Sequence, residues 1–167
     1  MPNSKHSNQP QAKPFKYEPV PVTPIPCSLE ELEVHFRGFI KGFIAEQAQE
    51  RWIDYLIAKR SLWFAPEGRP KNIKSKHKAY SLLNNPFFEE DYVTPIEGAD
   101  AFPRSLAHVY GDALGVYFDL QTAPCKMTAA EAATKATEGF VDAILSFVPG
   151  KSALAFHHEG GVWKCKK

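Results

Sequence analysis

The sequence predicts an α+β fold: several helices packed on a small sheet, with a C-terminal β-hairpin. Two helical runs carry apolar residues at three- and four-residue spacing, each opened by a Ser/Thr-x-x-Glu cap at Ser28 and at Thr128. Val116–Leu120 alternates as a strand does, and Gly160-Gly161 sits between two short alternating segments. With 167 residues, 44% hydrophobic and 23% charged, the chain fits a proline-rich extended tail (1–26) followed by one globular domain (27–167).

Pro19, Pro21, Pro24 and Pro26 forbid helix in the tail and favour an extended arm. Tyr17, Val20, Val22 and Ile25 are the side chains that would anchor it on the domain. Helix then follows from Ser28 to Phe64. Leu29, Leu32, Phe36, Phe39, Ile40 and Phe43 form one stripe, and Trp52, Ile53, Leu56 and Ile57 form another. The second is rotated by roughly 150° from the first. Either the helix breaks in the polar run Glu46–Arg51, or one long helix meets different neighbours at its ends. Gly38 and Gly42, four apart, imply a close crossing by another element.

Residues 65–70 are a loop by composition, and Asn84-Asn85-Pro86 is a turn. Phe87 and Phe88 are expected to anchor an irregular segment that runs to about Asp100. Asp100 would cap a helix with Pro103 in its first turn. Its apolar face would be Leu106, Val109, Tyr110, Ala113 and Leu114, with Gly115 as terminator. After the strand Val116–Leu120, residues 121–127 read as a connection and Thr128–Val148 as a helix ended by Pro149-Gly150. The hairpin is expected to pair His158 with Trp163 and Phe156 with Cys165. That register puts Trp163 on the face of Leu154 and Phe156. The first strand and Ser152–His158 would join in a right-handed βαβ crossover.

The formal net charge of +1 excludes a globally basic nucleic-acid binder. No apolar signal-peptide core opens the chain, and the three cysteines (Cys27, Cys125, Cys165) are odd in number and far apart. Free thiols in a cytoplasmic protein, with no membrane association, are the expectation. No Gly-rich phosphate loop, CxxC or HExxH motif occurs, and no cofactor is expected.

Three function classes stay open. Arg69, Lys71, Lys74, Lys76 and Lys78 fall within ten residues, flanked by Trp63 and Tyr80. Such a run suits an acidic protein partner, as in an inhibitor, immunity-type protein or adaptor, and it also suits nucleic acid. The expected class is protein–protein interaction through this run. A metal-dependent hydrolase would use His108 and Asp112, four apart on a predicted helix, with His157 or His158 brought near. A cysteine hydrolase would use Cys125, just ahead of a helix N-terminus that lowers thiol pKa, with a histidine as base.

Overall fold

A computed structural model of the chain describes residues 16–54, 83, 86–119 and 123–167. Among these residues the fold is three-layered, with helices on both faces of one antiparallel sheet. The strands are β1 (Ile25–Pro26), β2 (Val93–Ile96), β3 (Gly115–Asp119), β4 (Cys125–Met127), β5 (Ala143–Val148), β6 (Ser152–Phe156) and β7 (Val162–Lys166). Their order is β1-β4-β3-β5-β6-β7-β2. The α+β expectation holds.

Helix α1 (Leu29–Phe43) opens where the Ser28 hydroxyl accepts from the Glu31 amide. The Glu31 carboxylate turns to Lys126 instead, at 3.3 Å. The helix ends at Ile44, and residues 46–54 resume as α2. The break therefore precedes the polar run, because Ile44 leaves the helix to bridge Phe88. Leu32, Phe36, Phe39, Ile40, Phe43 and Trp52 bury their side chains against Val116, Phe118, Ile144, Ala155 and Cys165. Gly38 and Gly42 meet the β5–β6 turn: an added Cβ would come within 2.8 Å of Pro149 at Gly38 and 2.7 Å of the Gly150 carbonyl at Gly42. The close crossing read from their spacing is this contact.

The other face is covered by α3 (Pro103–Tyr110) and α4 (Ala129–Gly139). Pro103 holds the first position of α3, but the cap is Phe102, and Gly98–Ala101 forms a separate 3-10 turn. Gly111, at φ +57°, ends α3 four residues before Gly115, so Val109 and Leu114 stay exposed. Thr128 and Glu131 form a complete capping box on α4. Its alanines 129, 132, 133 and 136 let the backbone lie close on Tyr117, Met127, Leu145 and Leu154.

Four sequence expectations are corrected. Helix α4 stops at Gly139, and Ala143–Val148 is a central strand. A strand buried on both faces is a continuous apolar run, which periodicity cannot distinguish from a buried helix. The βαβ crossover is thereby excluded: β3 pairs antiparallel with β5, which pairs antiparallel with β6. Residues 125–127 and 93–96 are strands, not irregular segments. In the hairpin, Phe156 pairs with Val162 and Ala155 with Trp163, a shift of three residues from the expected register. The odd shift moves Trp163 to the face of Ala153, Ala155 and Cys165.

The arm docks. Val22 packs on the α4 side of the core, Tyr17 meets the Phe102 ring edge-on at 5.8 Å, and β1 adds to β4. Ile25 stays exposed. Among the described residues no helix is long and apolar enough to cross a membrane.

Candidate functional site

Residues 157–161 join β6 to β7 in a tight turn. The Gly160 amide donates to the His157 carbonyl at 2.8 Å, and the His157 amide donates to Gly161 at 2.8 Å. On an extended strand two consecutive side chains point to opposite faces. The turn removes that constraint and leaves the His157 and His158 rings 4.1 Å apart. Ala143 pairs with Phe156, so the residue before it, Asp142, reaches the same turn. Asp142 Oδ1 accepts the His158 backbone N–H at 2.8 Å and lies 2.8 Å from His158 Nδ1. The Asp142 residue is 6% exposed, and its other oxygen, Oδ2, has no hydrogen-bond partner among the described residues. His157 Nδ1 accepts from the Glu159 amide at 3.2 Å and stands 4.0 Å from the Glu159 carboxylate.

Aromatic rings continue from this turn. His157 meets Trp163 edge-on at 6.2 Å, and Trp163 meets Phe88 at 5.5 Å. In sequence Phe87 precedes Phe88, and Phe140 lies two residues before Asp142. Phe140 is 75% exposed and Phe87 42%. Both have left-handed backbone, at φ +49° and +53°, and among the described residues they are the only non-glycines that do. Phe140 occupies the position after α4 where glycine is usual: the Val141 amide reaches back to the Ala136 carbonyl at 3.1 Å. Arg51 lies over the Phe87 ring at 5.2 Å.

Comparison with protein-family models, curated proteins and solved structures finds no match.

The metal reading set His157 or His158 beside His108 and Asp112; in the structure His157 and His158 lie together and the acid grouped with them is Asp142. Helix α3 ends at Tyr110, so His108 and Asp112 do not share a helical face, and both are exposed. His158 bonds Asp142, and the ring beside Trp163 is His157 rather than the expected His158. Cys125 lies buried in β4, where burial and then Cys27 beside it push the thiol up to about 11. That is the opposite of an activated nucleophile. Trp63, Arg69, Lys71, Lys74, Lys76, Lys78 and Tyr80 lie outside the described residues, as do Asn84 and Asn85. Other polar side chains serve the fold: His35 Nδ1 lies 2.9 Å from the hydroxyl of fully buried Ser146. Reading Thr128–Val148 as one helix hides Asp142 among its turns. The signal was present, since a lone acid within the apolar run Phe140–Val148 is costly unless it has a task.

Proposed function

We propose that this protein acts by binding another protein, in the manner of an inhibitor or adaptor, and that Phe140 and Phe87 anchor the partner. The observation that carries the reading is that, among the described residues, both left-handed non-glycine residues are exposed phenylalanines. A left-handed L-residue costs about 1–2 kcal/mol, and the Phe140 ring, three-quarters exposed, returns little of it. Rigid exposed aromatics are what interface anchors are commonly made of. The basic run Arg69–Lys78 supplies the complementary charge for an acidic partner and speeds encounter. Trp52 and Pro86, which lie on either side of that run in the sequence, are joined by a hydrogen bond of 3.1 Å from the indole N–H to the Pro86 carbonyl. Pro86 leads directly into Phe87.

The test is a pull-down with the wild type, with Phe87→Ala plus Phe140→Ala, and with Lys71, Lys74, Lys76 and Lys78 changed together to Glu. Both sets of changes should release the same partner by tenfold or more in affinity. Retention of that partner by the double alanine variant ends the anchor reading. Binding of random oligonucleotides, with affinity falling steeply as salt rises, would assign the run to nucleic acid instead.

A further inference from the structure

We propose that Asp142, His157 and His158 form a binding site for one divalent transition metal of the zinc class, with Glu159 as the fourth donor. One ligand atom from each of the first three residues lies within 4.8 Å of the others. Donors around a tetrahedral zinc ion sit roughly 3.3 Å apart, given bonds of about 2.0–2.1 Å. Side-chain rotation within the turn covers the difference. The second, independent observation is Asp142 Oδ2, a buried carboxylate oxygen with no hydrogen-bond donor among the described residues. Buried polar atoms are seldom left so, and a cation at this place satisfies it.

The neighbouring bonds suit the same end. Asp142 Oδ1 keeps the His158 backbone N–H, which fixes the carboxylate in place. His158 Nδ1, now 2.8 Å from Oδ1, turns to the ion with its proton carried on Nε2. The Glu159 carboxylate stands 4.0 Å from His157 Nδ1, and its side chain is 78% exposed and able to swing in. Two imidazoles with carboxylates select zinc, nickel, copper or iron over magnesium and calcium, which prefer all-oxygen shells. The site does not depend on the partner-binding reading, since it rests on different side chains and a different observation.

The test uses the full chain, stripped with chelator, then titrated with Zn2+ by calorimetry and with Co2+ by visible absorption. One Zn2+ per chain should bind and raise the melting temperature. His157→Ala and His158→Ala should each weaken binding at least tenfold. His158 also latches Asp142, so its loss removes a bond that holds the turn; His157→Ala and Glu159→Gln, tested for an unchanged metal-free melting temperature, keep the result readable. No saturable binding overturns the proposal, as does wild-type affinity in His157→Ala. Zn2+ lost on Cys27→Ser but kept in both histidine variants overturns it as well. A tenfold preference for Mg2+ or Ca2+ over Zn2+ rejects the metal class.

Discussion

Phe140 sets a side chain against its backbone. The αL position after a helix is best filled by glycine, yet here Gly139 is the last helical residue and Phe140 takes the turn. With its ring three-quarters exposed, little packing is lost on removing it. Phe140→Gly should therefore stabilise the fold by about 1 kcal/mol in urea denaturation, while it loses the partner. A destabilised Phe140→Gly chain would mean that the ring supports the core, and the anchor argument would fail with it. Asp142 is the counterpart: a residue whose backbone is ordinary and whose side chain is in the unusual place. Both lie in the short link between α4 and β5, where sequence periodicity is least informative.

At the level of elements, α1 depends on glycines that no propensity scale would favour. Glycine inside a helix costs about 1 kcal/mol relative to alanine. At Gly42, however, an alanine Cβ would stand 2.7 Å from the Gly150 carbonyl oxygen and 2.8 Å from its Cα. Backbone cannot yield as a side-chain tip can. Gly42→Ala should thus destabilise by roughly 1–3 kcal/mol net, against the sign that helix propensity predicts. Thermal or urea unfolding decides it, and a stabilised Gly42→Ala protein would show that the β5–β6 turn does not press on α1. The hairpin teaches a related lesson. Its position was legible from Gly160-Gly161, but a five-residue connection replaced the two-residue loop, and the odd shift reversed the faces.

Across the whole molecule, the arm and the sheet edges are managed by specific contacts. Edge strand β2 carries Pro95, which has no N–H to offer a neighbouring chain, and the opposite edge β1 is two residues long. The arm is held by Glu131. Its Oε1 accepts from the Thr23 amide at 2.8 Å and hydroxyl at 2.9 Å, and its Oε2 accepts from the Thr128 amide at 2.8 Å. Burial alone would raise its pKa, but these hydrogen bonds outweigh burial and hold it below the ordinary 4.5. The stabilisation is therefore complete above about pH 4.5 and is lost as pH falls through the lower, folded value. Glu131→Gln should flatten the stability profile across that window and speed hydrogen exchange at the Thr23 amide. An unchanged profile would mean the arm is held without this carboxylate.

The amino-acid sequence by itself determined the local and periodic features. The cap residues Ser28 and Thr128, the apolar stripe of α1, the alternation of β3, the Gly38–Gly42 crossing and the extended arm all follow from spacing, proline geometry and hydrogen-bonding groups a few residues apart. Tertiary structure decided what depends on partners distant in the chain. Phe140–Val148 became helix terminator and strand because β3 and β6 pair with its two edges and helices cover both of its faces, which no pattern of its own letters could state. Strand β2 exists because β7 offers it a ladder, despite Pro95. The convergence of Asp142 with His157 and His158 likewise arises from the pairing of β5 with β6, across 15 residues or more, and from a turn that frees two histidines from strand alternation.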